Sequence, residues 1–302
     1  MDKVIVIVGP TGVGKTKLSI ELAKIYNGEI INGDSMQVYK EMNIGTAKIK
    51  EEEKEGIPHH LFSILSFDES NSIYDFQKLV RGKIDEITKR NKLPIIVGGT
   101  GLYLKACLYD YTFNETKDNS ELLKKYENYS NEELHNELKN MDLETANKVH
   151  PNNRRRVLRA IEICLANNES KSNLEAKQEH KLIYDALIIG LTTDRKLLHS
   201  IQDKRVDKMM EEGLLDEVKL LINNPSFLEN TASQAIGYKE FIPYFNNEIT
   251  LEEAINQVKI HTHQYAKRQY TFFNHQLDVN WVETNFENFN KTIETVNNII
   301  GG

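Results

Sequence analysis

The chain has 302 residues, 39% of them apolar and 27% charged, and a formal net charge of −7. That length buries a substantial core, either as one large domain with an insertion or as two modest ones, and no apolar run approaches the roughly 20 residues of a bilayer-spanning helix. The negative balance argues against nonspecific nucleic-acid binding by the whole surface, while a local basic groove stays open.

No basic segment with an apolar stretch and cleavage site precedes the first strand, so the expected location is the cytoplasm, with no membrane association. The two cysteines, Cys107 and Cys164, lie in apolar contexts without C-x-x-C spacing and read as buried thiols.

Lys3 to Val8 form an apolar, β-branched run, followed by Gly9-Pro10-Thr11-Gly12-Val13-Gly14-Lys15-Thr16 and a helical pattern from Lys17 to Tyr26. The order strand, glycine-rich turn, helix suits a phosphate loop, because inward-turned backbone N–H groups and the positive helix end bind polyphosphate. Lys15 then offers a mobile charge to the outer phosphate and Thr16 a hydroxyl to Mg²⁺. Kinases, NTPases and transferases all use such a loop, so it does not name a reaction.

Glu29 to Asn32 read as a strand ending in the polar stretch Gly33-Asp34-Ser35-Met36-Gln37-Val38-Tyr39. Residues just beyond parallel strands face the ligand crevice, which places Asp34 and Ser35 across from the phosphate loop. Asp34 there serves as general base or water-mediated metal ligand; a capping role on a short helix is equally compatible with its position. Ile44-Gly45-Thr46-Ala47-Lys48 is a further glycine turn, and the charged run from Lys50 to Glu55 reads as a solvated face. His59 and His60 are adjacent and point to opposite sides of a strand, one packed and one toward the crevice, which disfavours a two-His metal pair.

An amphipathic helix is expected over Tyr74 to Asn91, then a buried strand at Lys92 to Val97. That strand ends in Gly98-Gly99-Thr100-Gly101 before a helix opening with Leu102, so backbone donors and the Thr100 hydroxyl can face the phosphate loop. Residues 114–180 carry almost no strand signal and show helical spacing at Leu122, Leu123 and Tyr126 and at Leu134 and Leu138. They read as a helical insertion, and Arg154, Arg155, Arg156 and Arg159 make one of its helices suited to phosphate contacts. Tyr184 to Leu191 restores a buried strand. A long helix from about Leu197 follows, with Arg205 on a different face from Val206 and Met209, and Gly213 fits its C-terminal end. The last long helix is expected over Leu251 to Phe273, and Asp278 to Val282 as a closing strand; Phe272 and Phe273 are core or base-stacking residues. The expected architecture is α/β: a P-loop NTPase-like parallel sheet flanked by helices, built from residues 1–113 and 181–302, with the all-helical insertion at 114–180.

The glycine-rich turn at 9–16, Asp34 to Tyr39, Ile44 to Lys48, Gly56 to His60, Gly98 to Tyr103, His150-Pro151-Asn152, Arg205-Val206-Asp207, Gln234-Ala235-Ile236-Gly237-Tyr238-Lys239 and Tyr265-Ala266-Lys267-Arg268-Gln269 together resemble the bacterial tRNA dimethylallyltransferases. The match runs in order across nearly the whole chain. It implies transfer of a dimethylallyl group from dimethylallyl diphosphate to the exocyclic amine of the adenosine 3′ of the anticodon, with diphosphate released. Residues 9–16 would hold the diphosphate, with Mg²⁺ near Thr16, and Lys15, Thr100 and Arg205 would stabilise the leaving charge. Asp34 would take the amine proton from a flipped base. The resemblance further implies tRNA contacts at Asp34, Ser35, Met36 and Gln37, at Arg155, Arg156, Val157, Leu158 and Arg159, at Gln234, Gly237, Tyr238 and Lys239, and at Lys267, Arg268, Gln269, Phe272 and Phe273. A basic residue is usual in that family where Asn274 and Ser200 stand. The implied partners are the tRNA anticodon stem-loop and the prenyl donor, acting on a monomer. An adenylate isopentenyltransferase using free nucleotide, or a small-molecule kinase, would share the loop.

Overall fold

The computed structural model describes residues 2–69, 71–111 and 123–302, which fall into two compact units: residues up to Leu108 together with Ile183–Gly302, and Tyr109–Leu182. The expected boundary at 113/114 and the helical position of Leu122 lie outside the described residues.

The larger unit is organised by six strands: β1 (Lys3–Val8), β2 (Gly28–Asn32), β3 (His59–His60), β4 (Leu93–Val97), β5 (Asp185–Thr192) and β6 (Asn280–Glu283). They pair only in parallel, in the order β3-β2-β4-β1-β5-β6. The Val and Ile runs of β1, β2 and β4 are buried on both faces, as sheets covered by helices on either side require. Ile5 of β1 sits between Ile95 of β4 and Leu187 of β5.

That order has a consequence for the loops. Because β4 lies between β2 and β1, the turn after β4 must emerge between the turn after β2 and the turn after β1. Residues 98–101 are therefore flanked by Asp34 on one side and the glycine-rich loop on the other.

The helices covering the sheet are α1 (Lys15–Ile25), α2 (Ile73–Lys89) and α3 (Gly101–Leu108) in the first half. Helix α2 starts where Ser72 accepts the Asp75 N–H, and it turns Phe76, Val80, Ile84 and Ile87 inward at helical spacing. One hydrophobic cluster joins Ile5, Ile7, Leu18, Leu22, Ile95, Ile189, Leu191 and Phe289.

In the smaller unit, helices α4 (Asn131–Met141), α5 (Leu143–Lys148), α6 (Arg154–Asn167) and α7 (Lys171–Ala176) close on their own core of Tyr126, Leu134, Leu138, Ala146, Val157, Ala160 and Ile161. Its two connecting ends pair through an antiparallel bridge between Tyr109 and Leu182. The Asp110 carboxylate adds to this by accepting N–H groups of Glu179 and Lys181.

Returning to the larger unit, α8 (Arg195–Glu211), α9 (Leu214–Ile222), α10 (Pro225–Glu229), α11 (Ile242–Phe245), α12 (Leu251–Gln276) and α13 (Phe289–Gly301) complete the chain. Gly213 follows α8 in the left-handed region at φ +98°, as its spacing predicts. Helix α12 runs three residues past the expected Phe273, to Gln276. Among the described residues no helix is long and apolar enough to cross a membrane. Cys107 and Cys164 are free and buried, and burial pushes both thiols up.

Candidate active site

A cavity of about 910 Å³ opens at the C-terminal ends of the strands. The glycine-rich loop, Asp34, Gln37, residues 43–51, Gly98, Gly99 and α8 line it, with Tyr265 and Gln269 of α12 behind. Open parallel sheets place ligands at this edge.

The loop after β1 can follow its path only because of its glycines. Gly9 has φ +135°, and a Cβ there would stand 2.5 Å from the Leu191 carbonyl oxygen on β5. At the loop's far end, the Lys15 Nζ donates to the Pro10 carbonyl at 2.7 Å. Burial, with nearby Arg205 adding to it, lowers the pKa of Lys15 to about 7 against the opposing pull of Asp34. A cation desolvated in this way gains most from an arriving anion. Thr16 is exposed in the first turn of α1 and faces the cavity.

Helix α8 supports the loop from the side, with the buried Gln202 side chain donating to the Thr11 carbonyl at 3.1 Å. One turn on, Arg205 reaches the same cavity; burial lowers its pKa, and its Nε has no protein partner in spite of being buried. Met209 lines the cavity beside Arg205, contrary to the expectation of separate faces. Positions i and i+4 of a helix lie one above the other.

Asp34 is fixed by its neighbours. Asn32 at the end of β2 accepts the Asp34 N–H at 2.8 Å, while its amide donates to the Asp34 carbonyl at 2.9 Å and to the Leu61 carbonyl at 3.0 Å. The Asp34 carboxylate accepts the Met36 N–H at 2.9 Å. No helix follows there, so Asp34 closes a turn and does not cap a helix. Burial raises its pKa, opposed by the Met36 amide, by Lys15 and by the Gln37 amide. A raised carboxyl is a stronger proton acceptor once ionised.

Thr100 joins the two sides. Its Oγ1 accepts the Ser35 N–H at 3.1 Å, and its own N–H donates to the Gly33 carbonyl at 3.4 Å. The backbones meet so closely that a Cβ on Gly98 would stand 2.1 Å from the Gly33 carbonyl. From α12, Gln269 donates to the Gly99 carbonyl at 2.9 Å and Tyr265 does so at 3.4 Å. Burial raises the Tyr265 pKa, the negative charge of Asp34 adding to it, so Tyr265 remains a donor.

The structure thus gathers residues 9–16, Asp34, Gln37 and Arg205 on one cavity, with Thr100 beside Asp34 through Ser35. Arg155, Arg156 and Arg159 are exposed on α6 within the smaller unit, and Arg159 also pairs with Glu162 at 2.7 Å. Lys267 and Arg268 are exposed on α12 and line a groove of about 630 Å³ with Phe272, Thr271 and His275. Gln234 is exposed and Lys239 half-buried.

Other residues expected to touch tRNA face inward. Val157 is a core residue of the smaller unit and Leu158 packs against that core. Tyr238 and Phe273 are fully buried and Gly237 is buried, whereas Gln269 gives its amide to Gly99 and still lines the cavity. Their side chains are supports for the surfaces beside them, because amphipathic helices and tight turns alternate exposed with packed positions. Asn274 accepts the Trp281 indole N–H at 2.8 Å, and Ser200 is exposed on α8.

His60 pairs with the buried Glu29 at 2.6 Å, while His59 lines the cavity, which divides the two histidines as expected. Lys50, Glu51 and Glu53 are exposed, as a solvated face requires, and they also line the cavity. Sequence reasoning assigned no role to Lys48. Its Nζ lies 3.0 Å from Asn43 Oδ1 and 2.9 Å from Ser63 Oγ, and burial lowers its pKa to about 8.

Among the described residues no group of three or more His, Cys, Asp or Glu side chains is placed to hold a metal ion. Thr16 at the loop end is compatible with Mg²⁺, which binds through few protein oxygens when substrate phosphates and water complete its shell.

The fold and this cavity define an α/β protein of the phosphate-loop class with a carboxylate in its cavity. Residues 37–276 match the family model described as IPP transferase, and residues 2–66 one described as isopentenyl transferase. A tRNA dimethylallyltransferase of Anoxybacillus flavithermus is 50% identical over 282 residues, covering 93% of this chain and 90% of that protein. The crystal structure of a tRNA isopentenylpyrophosphate transferase from Staphylococcus epidermidis aligns with a TM-score of 0.74 at 45% identity, over 100% of this chain and 99% of that one. A eukaryotic dimethylallyltransferase captured acting on tRNA aligns with a TM-score of 0.87 at 35% identity, over 100% of this chain and 80% of that one. The chain belongs to the tRNA dimethylallyltransferase family.

Proposed function

We propose that the protein transfers a dimethylallyl group from dimethylallyl diphosphate to the exocyclic amine of the adenosine 3′ of the anticodon in tRNA. The carrying observation is that Lys15, Arg205 and Asp34 line one cavity, close enough that Arg205 and Asp34 both act on the Lys15 charge.

The reaction breaks the allylic C–O bond and forms a C–N bond. Negative charge grows on the departing diphosphate, and the glycine-loop N–H groups, Lys15 and Arg205 are preorganised to receive it. Both cations are already desolvated, so their attraction to diphosphate is little screened. Asp34 accepts the amine proton as the new bond forms, and its turn with Met36 fixes the carboxylate. Thr100 keeps the Asp34–Ser35 turn beside the leaving group. Thr16 would help to hold Mg²⁺, which would supply further charge neutralisation there.

A base in a folded anticodon loop must be extruded to reach such a recessed carboxylate. Arg155, Arg156 and Arg159, with Lys267 and Arg268, supply exposed cations for the RNA backbone on a chain that is otherwise acidic. The protein works in the cytoplasm as a monomer.

The test is mass analysis of nucleosides from unmodified tRNA incubated with the protein, dimethylallyl diphosphate and Mg²⁺. The expected product is N6-dimethylallyladenosine beside the anticodon, formed with one diphosphate per transfer. Recovery of unmodified adenosine alone overturns the assignment.

A further inference from the structure

The segment Asn43 to Lys48 forms a wall of the reaction cavity, yet none of the chemistry above uses it. Its first three backbone N–H groups are anchored from outside by one carboxylate. Glu217, on α9, accepts the backbone N–H of Asn43 at 3.0 Å, of Ile44 at 2.9 Å and of Gly45 at 3.1 Å. The same carboxylate accepts the Tyr238 hydroxyl at 2.6 Å. A carboxylate has no proton to offer and accepts at several sites at once, so it suits a cluster of donors better than any neutral side chain.

Tyr238 completes the anchor. Its ring is fully buried directly under Gly45, where an added Cβ would stand 2.5 Å from the ring. Burial, reinforced by the Glu217 charge, raises its pKa, so the hydroxyl stays protonated and donates.

The wall in turn holds Gln37, whose side-chain amide donates to the Thr46 carbonyl at 2.9 Å. A carbonyl only accepts, so Gln37 must present its NH₂ to the wall, which leaves its oxygen as the remaining acceptor. Gln37 lines the cavity, and its backbone amide is one of those that lower the Asp34 pKa.

We infer that Glu217, with Tyr238, is a positioning residue that acts through the Asn43–Thr46 wall on Gln37 and so fixes the acceptor side of the reaction cavity beside Asp34. Glu217 touches no substrate in this account. The inference rests on the proposed transferase reading, and the test separates the two.

The test is a double-mutant cycle with Glu217→Gln and Gln37→Ala, read as single-turnover prenyl transfer to an anticodon stem-loop, together with amide hydrogen exchange of residues 40–48. An amide in place of the carboxylate turns an NH₂ against backbone donors. Loss of charge-assisted hydrogen bonds then predicts a rate about tenfold lower for E217Q in the wild-type background. In the Q37A background the same change should cost under about twofold, since coupled residues are not additive. Exchange at residues 43–45 should accelerate in E217Q, while KM for the prenyl donor stays within about twofold, because the diphosphate loop is untouched.

Equal losses in both backgrounds, or unchanged exchange at residues 43–45, overturn the inference. If E217Q fails to fold, Tyr238→Phe carries the same cycle, removing one donor and keeping the ring under Gly45. Wild-type protein that forms no prenylated product would refute the transferase reading instead, and the exchange measurement would still decide the anchor.

Discussion

The Ser35 backbone N–H donates to the Thr100 hydroxyl at 3.1 Å across a separation of 65 residues. The two lie in the turns after β2 and β4, which are neighbours in the sheet, so this bond ties the Asp34 turn to the glycine turn standing next to the phosphate-type loop. The proposed acceptor base and the proposed leaving-group site are thereby part of one rigid edge.

Asp34→Asn removes the proton acceptor and keeps the shape of the turn. Single-turnover transfer should fall by about 10²- to 10⁴-fold, the span of general-base catalysis, while the Kd for tRNA measured by filter binding changes little. Full transfer activity in the variant would remove Asp34 from the mechanism.

Two ionisations should bracket kcat/KM for the prenyl donor. The raised Asp34 must lose its proton to act, so the rate should fall on the acid side at a pH above the usual carboxylate value of 3.8. Lys15, lowered to about 7, must keep its proton to attract diphosphate, so the rate should fall again as pH rises through about 7. Bound diphosphate raises the Lys15 pKa, so the alkaline limb of kcat should lie above that of kcat/KM. Superimposable alkaline limbs would count against Lys15 as the titrating group.

Gly98→Ala tests the close approach of the β2 and β4 turns. The added methyl would lie 2.1 Å from backbone atoms of Gly33, which no rotamer change relieves. The expected destabilisation is about 3 kcal/mol or more in urea unfolding. Gly82→Ala, in open space on α2, is the control and should be neutral or slightly stabilising.

Glu29, in β2, has His60 and Arg90 at 2.6 Å and Lys92 at 3.1 Å. Burial alone would raise its pKa, but the three partners outweigh it and hold the carboxyl at about 2. Its folded value lies below its unfolded value, so its contribution is complete above pH 4.5 and is lost as pH falls toward about 2. Linkage puts the stake at roughly 3 kcal/mol. The difference in unfolding free energy between wild type and Glu29→Gln should therefore shrink between pH 5 and about pH 2, as followed by circular dichroism.

Replacing Arg155, Arg156 and Arg159 together by Ala should weaken tRNA binding and lower the salt slope by about two to three, one for each phosphate that is no longer neutralised. Inorganic diphosphate affinity, measured by calorimetry, should stay unchanged. An unaltered salt slope would show that α6 does not touch the RNA.

The sequence by itself determined the elements and their chemistry. β-branched runs buried on both faces could only be inner parallel strands, and the glycines of 9–16 and 98–101 announced turns at their ends. The family order of short motifs then identified the transferase. These are local properties, set by side-chain pattern and backbone freedom within a few residues. Local pattern could not say which members of a motif face out: Val157, Tyr238 and Phe273 sit inside motifs expected to touch tRNA, and packing alone turned them inward. Nor could it find Glu217, because an ordinary glutamate on an amphipathic helix acquires its role only when the fold brings backbone amides from 172 to 174 residues away to its carboxylate. The strand order settled the rest: by threading β4 between β2 and β1 it decided that the turn carrying Thr100 would emerge between the turn carrying Asp34 and the glycine-rich loop, and a chain's own sequence spacing carries no record of which strands become neighbours.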